Sequence, residues 1–238
     1  MTAKSETIDI EIDGECMSAT FLTPKSRVPG VLFVHGWGGS QERDLERAKG
    51  IAGLGCVCLT FDLRGHTGGT GIPLSRVTRE DNLRDLLAAY DRLLAHPAID
   101  TSAVAVVGTS YGGYLAAILS TLRPVRWLAL RVPALYRDER WDAPKRDLDK
   151  QDLLDYRSRL VPADSNRALH ACSQFTGDVL LVESQSDEHV PHATLMSYSR
   201  GVSAYPFHDS PDHRWRRSRP ERAGGATSLY VDPGWLDH

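Results

Sequence analysis

Cysteine is scarce in this chain: four in 238 residues, at Cys16, Cys56, Cys58 and Cys172. Cys56 and Cys58 stand two apart in an apolar strand pattern, so both side chains point to one face, a poor arrangement for a disulfide. No second Cys or His pair supplies metal-ligand spacing, so a disulfide scaffold and a structural zinc site are both excluded, and neither a metal nor a cofactor is expected. Long apolar runs are lacking too. No stretch approaches the roughly 18 apolar residues of a membrane span, and the opening MTAKSETIDIEIDGE has no signal-peptide core. The expectation is a cytoplasmic protein with reduced thiols and no membrane contact. Charge of one sign is also missing: 28 basic against 31 acidic residues leave a net charge of −3, which gives nucleic acid no electrostatic reason to bind. Oligomeric state is not readable from this balance.

What is present is alternation of strands with helices. ETIDIEI and CMSATFLTP, separated by DGE, read as an opening β-hairpin. GVLFVHG, CVCLTFDLRG, AVAVVGTS, VRWLALRVP and DVLLVES are short apolar runs of the kind a strand buried on both faces requires. Between them RDLERAKGIAGLG, REDNLRDLLAAYDRLLAHP and YGGYLAAILSTL read as helices, and PHATLMSYS begins another. This order implies one α/β domain over residues 1–238, with a mostly parallel central sheet and helices on both faces. Residues 133–176 are polar with a helical centre and fit a small cap over the strand ends, where ligands of such sheets bind.

Gly108-Thr109-Ser110-Tyr111-Gly112 matches G-x-S-x-G, follows an apolar strand and opens a helix. A serine on so sharp a strand-to-helix turn needs neighbours without side chains, which the glycines supply. HGWGG, residues 35–39, ends an earlier strand. Stabilising a tetrahedral oxyanion takes two preorganised N–H donors, and the backbone amides of Tyr111 and Trp37 are the candidates. DLRGHTGGTG is a glycine loop near the same end; it lacks the Gly-Lys-Ser/Thr of a phosphate cradle. His66 there reads as a loop residue and Asp62 as the residue that orders its own turn.

With these motifs in this order, residues 5–199 resemble the α/β-hydrolase superfamily, and GTSYGGY, HGWGG and DLRGHTGG are similar to loops of its small-esterase and prolyl-oligopeptidase-like branch. The resemblance implies a Ser–Asp/Glu–His triad in that chain order, with Ser110 as nucleophile, and a small-molecule carboxylic ester as substrate. It implies an acid at Asp187, shortly before Val190-Pro191, with Glu183 and Glu188 as competitors and a helix-capping role for Asp187 as the plainer alternative. A dienelactone-type enzyme would carry Cys at the elbow, where this chain has Ser. Small peptidase or thioesterase activity is the nearest rival, and a catalytically inactive protein on the same fold is the rival from another class.

The departure lies beyond residue 200. The family pattern places a further strand and then the histidine there, but the sequence turns rich in Arg, Pro and Gly, without helix period or strand alternation. A tail without order would leave the sheet short of an element its neighbours need for burial. Back-translation offers an account. Shifting Asp-His-Arg-Trp-Arg-Arg-Ser-Arg, residues 212–219, by one nucleotide allows I-I-D-G-A-D-H-A, with the glycine forced by the codon of Trp215 and the new histidine codon overlapping Ser218. In the frame as given, His213 is the candidate base, with His208 behind it; His189 and His192 flank the acid's loop. Reading the gene's nucleotides from codon 190 past the stop in three frames is expected to show a one-base shift near codon 199 that restores an Asp-His and a closing amphipathic helix. Early stops in the shifted frames would end that account and leave His213 as the base.

Overall fold

The computed structural model describes residues 4–23, 27–66, 71–184, 189–203 and 226–230. Its first element is the expected hairpin. Strands β1 (Lys4–Ile12) and β2 (Glu15–Thr23) pair antiparallel and reverse at Asp13-Gly14, both at positive φ (52° and 76°), the conformation that two-residue hairpin turns demand. Then follow β3 (Val28–Val34), α1 (Glu42–Gly53), β4 (Val57–Phe61), α2 (Arg79–Leu94), β5 (Ile99–Thr109), α3 (Tyr111–Leu119) and β6 (Trp127–Arg131). The chain continues through α4 (Lys150–Arg157), α5 (Arg167–Gln174), β7 (Asp178–Ser184), α6 (His192–Ser203) and β8 (Ala226–Tyr230). All strands join one sheet in the order β1-β2-β4-β3-β5-β6-β7-β8, and the run β4-β3-β5-β6-β7 is parallel throughout.

Burial explains the assignment of faces. Every residue of β4 is buried, as a central parallel strand with helices on both sides requires. On one face Val31, Phe33 and Cys58 pack with Ala48 and Ala52 of α1, and Cys56 adjoins the same cluster, so the two thiols do share a face. On the other, Leu32, Val34, Leu59, Val104 and Val106 build the larger core with α2, α3, α5 and α6. The first face is open beyond α1: on β5, β6 and β7 the residues Ala105, Val107, Trp127, Ala129 and Val182 are only half-buried, and Leu180 is 37% exposed. A final helix is the element missing there among the described residues.

Two readings of the sequence need correction. The tail beyond residue 200 carries a strand after all: β8 runs antiparallel on β7 from Leu180↔Tyr230 to Ser184↔Ala226, using backbone hydrogen bonds that need no alternation of side chains. Asp62 does not order its own turn. Its carboxylate accepts from the backbone N–H of Gln41 at 2.8 Å and from Gln41 Nε2 at 2.9 Å, so it ties the end of β4 to the start of α1.

Between β6 and β7 the chain makes the expected excursion, with a short 3₁₀ turn at Lys145–Asp147 and then α4. It returns to the sheet through α5, whose start depends on Asn166. Asn166 Oδ1 accepts from the N–H groups of Ala168 and Leu169, and its Nδ2 donates to Tyr136 O at 2.7 Å. Truncating this buried cap leaves donors and a carbonyl without partners. Asn166→Ala is expected to lower unfolding free energy by about 2 kcal/mol, read as a fall in urea midpoint at constant slope.

Candidate functional site

Ser110 stands between the last residue of β5 and the first of α3 at φ 53°, ψ −113°, a backbone conformation that a non-glycine residue keeps only when its surroundings hold it. Three hydrogen bonds do so. Its N–H donates to Arg131 O at 2.9 Å, and its carbonyl accepts from Tyr114 and Ala134 N–H at 3.1 and 2.9 Å. The flanking glycines are required by contact. A Cβ on Gly112 would overlap the carbonyls of Val34 and His35, and one on Gly108 would lie 2.6 Å from Gly113 Cα. The first turn of α3 therefore presses directly on the end of β3. Ser110 is half-buried, and its hydroxyl makes no hydrogen bond to any described residue.

The loop after β3 closes on the same point. A Cβ on Gly36 would meet Thr109 O at 3.3 Å and Ser110 Cβ at 3.4 Å, so the loop backbone touches the serine. Trp37 follows it, and its ring meets that of Tyr111 edge-on at 5.3 Å. The backbone N–H groups of Trp37 and Tyr111 find no acceptor among the described residues; for Tyr111 this is the ordinary state of a first-turn helix amide.

Three buried groups brace this loop. His35 receives the N–H of Leu63 on Nε2 (3.0 Å), so Nδ1 carries the proton and donates to Gly36 O (2.8 Å). The ring is neutral, its pKa held down by burial, and its 3.9 Å approach to Asp62 is not an ion pair. His66 stacks edge-on against His35 and Trp37, with ring centres 5.0 and 4.9 Å away. Burial first, then the neighbouring His35, pushes its pKa down to about 4, and its buried Nε2 has no partner among the described residues. His66 is thus a loop residue, as expected, and a neutral one. Beside it Arg64 is clamped by Asp85 of α2, with Nε–Oδ1 at 2.5 Å and the Arg64 N–H on Oδ2 at 2.9 Å.

The excursion after β6 roofs the site with aromatic rings and cations. Tyr136 lies edge-on to Tyr111 (5.7 Å), Lys145 Nζ sits 3.9 Å from the Trp37 ring centre, and Arg79 of α2 donates to the carbonyls of Arg137 and Glu139. Asp187, Glu188, His208 and His213 lie outside the described residues. Of the other acid and base candidates, Glu183 at the end of β7 is paired with His192 Nδ1 at 2.6 Å, and His189 accepts Arg157 on its carbonyl.

Comparison with known proteins agrees with this geometry. The sequence model of the alpha/beta hydrolase family matches residues 31–236. The chain belongs to the alpha/beta hydrolase family. An uncharacterized protein of Mycobacterium tuberculosis is 33% identical over 105 residues, which are 44% of this chain and 36% of that protein. The matched segment is thus little more than a third of that relative's length. Among solved structures, a putative dienelactone hydrolase from Klebsiella pneumoniae is similar with a TM-score of 0.64 at 16% identity, covering 86% of this chain and 82% of the other. Est1E from Butyrivibrio proteoclasticus, solved with ferulic acid, is similar with a TM-score of 0.64 at 20% identity, covering 83% and 86%. Among the described residues no helix is long and apolar enough to cross a membrane, and no cluster of His, Cys, Asp and Glu could hold a metal ion.

In this alpha/beta hydrolase, sequence reasoning missed Gln41, Asp85, Arg79 and Lys145. Each acts across a tertiary contact, and only the Thr78–Asp81 capping box at the start of α2 gave a local hint that Arg79 and Asp85 lie near the strand ends. The neutral histidines set a pH response. A histidine whose folded pKa is below its unfolded value binds fewer protons when folded, so the stability it contributes is present above pH 6.5 and is lost as pH falls toward 4. His66 alone is expected to cost about 2 kcal/mol between pH 7 and 5. Urea unfolding across that range should show a clearly shallower fall for His66→Gln.

Proposed function

We propose that the chain is a serine hydrolase of carboxylic esters. The observation that carries the reading is Ser110, held at positive φ at the end of β5 beside two backbone amides that find no acceptor among the described residues. In this reading Ser110 Oγ attacks the ester carbonyl, and the amides of Trp37 and Tyr111 take the charge that develops on its oxygen. A histidine accepts the serine proton and passes it to the leaving alkoxide; water then attacks the acyl-enzyme with the same imidazole as base. His213 fills that role in the frame as given, oriented by Asp187. Est1E, similar in fold, holds ferulic acid, which supports a carboxylic acyl group as ligand class.

One observation favours a second reading. Because Ser110 Oγ has no imidazole partner among the described residues, a pocket-bearing scaffold without turnover is the alternative. Removing the base of such a constellation lowers kcat by orders of magnitude even where oxyanion stabilisation survives. A fluorophosphonate probe separates the two. The hydrolase reading expects labelling of the wild type, none of Ser110→Ala, and a loss of at least about 10³ in p-nitrophenyl butyrate turnover on that substitution. Absence of labelling in the wild type selects the scaffold.

A further inference from the structure

Lys145 is half-buried against the aromatic rings beside Ser110, without a counterion among the described residues. Its Nζ lies 3.9 Å from the centre of the Trp37 ring, 5.2 Å from Tyr111 and 5.1 Å from Tyr136, and makes no hydrogen bond or ion pair with any described residue. Its backbone is fixed: the Lys145 N–H donates to Val77 O at 3.0 Å, and the adjoining Pro144 bridges to Thr78. The amine is therefore placed by the fold onto the side chains of the two residues whose amides flank Ser110. The charged groups that act on it are of the same sign, Arg157 of α4 and Arg79 of α2, and His66 on the remaining side is neutral. The acids of the same region have other partners: Glu80 receives Trp141 Nε1, Asp85 holds Arg64, and Asp138 accepts the N–H of Arg167 on Oδ2, its Oδ1 having no partner among the described residues.

A half-buried ammonium that meets ring faces is stabilised by the quadrupoles of those rings, yet its desolvation is only partly offset. Proteins ordinarily pair such charges; here the described residues supply no partner, and the amine lies on the rings of the two residues whose amides flank Ser110. A ligand anion would complete the pairing. We propose that Lys145 is a specificity-determining residue that recognises a second, anionic group, such as a carboxylate, on the acyl part of the substrate, so that the site takes half-esters of dicarboxylic acids over neutral esters. The inference rests on the hydrolase reading and narrows it to a substrate class. Burial and the two guanidinium groups hold the Lys145 pKa down to about 7, so the amine is charged below that pH and neutral above it in the empty site. Preference for an anion is then strongest on the acid side.

The test compares kcat/KM for the mono-p-nitrophenyl ester of glutaric acid with that for p-nitrophenyl pentanoate. The wild type is expected to favour the half-ester by about 10- to 100-fold at pH 6, with the ratio falling as pH rises through about 7. Lys145→Met should bring the ratio near one, and Lys145→Arg should retain part of it. A wild-type ratio near one, or a ratio unmoved in Lys145→Met, overturns the proposal. If neither ester is hydrolysed the hydrolase reading fails by itself. The anion site is then judged by titrating glutarate against tryptophan fluorescence. A saturable change in the wild type that is absent in Lys145→Met supports it; no saturable change in the wild type overturns it.

Discussion

The close approach of α3 to the end of β3 is the constraint on which the site depends. The helix can start against the carbonyls of Val34 and His35 only because positions 108 and 112 carry no side chain. That contact forces Ser110 into positive φ, and the backbone bonds from Ser110 to Arg131, Tyr114 and Ala134 then lock it. The same contact brings Gly36 against the serine, so the HGWGG loop and the helix N-terminus share one small space. Local strain of this kind persists only where the surroundings determine it from several sides, and here a strand end, a loop and a helix start do so together.

Around that point the protein uses buried polar groups to hold loops, each satisfied in a particular way. Asp62 spans from β4 to Gln41, His35 is fixed as one tautomer by Leu63 and Gly36, and Arg64 is locked by Asp85. These groups fix the floor of the site. The roof is built differently, from rings and cations. Arg79 donates to main-chain carbonyls and Arg157 to Leu135 O, whereas among the described residues Lys145 meets only ring faces. Floor and roof therefore differ in composition: the floor holds a paired carboxylate and neutral imidazoles, while the roof gathers Arg79, Lys145 and Arg157 on the rings of Tyr136 and Trp37.

The open sheet face bears on the C-terminal part. Alternate residues of β5, β6 and β7 that point away from α2 and α3 are apolar yet half-exposed, from Ala105 and Val107 to Leu180. A sheet of parallel strands is ordinarily covered on both faces, since its crossover helices supply the cover. Among the described residues, α1 is the helix that packs on this face, against β3 and β4. At the sheet edge β8 pairs antiparallel with β7 through main-chain bonds.

By itself the sequence determined the alternation of strands and helices, the hairpin at Asp13-Gly14 and the turn that carries Ser110, because each is written in local patterns: apolar periodicity, turn residues and glycine spacing. Tertiary structure decided what those patterns could not hold. Whether His35 and His66 are charged depends on burial and on N–H donors 28 residues away or carbonyls nearby. The role of Asp62 depends on Gln41, and that of Lys145 on Trp37, more than a hundred residues earlier in the chain. Long-range pairing of this kind leaves no period in a single sequence, because the partner's distance along the chain is set by the order of the sheet and not by the geometry of any one element.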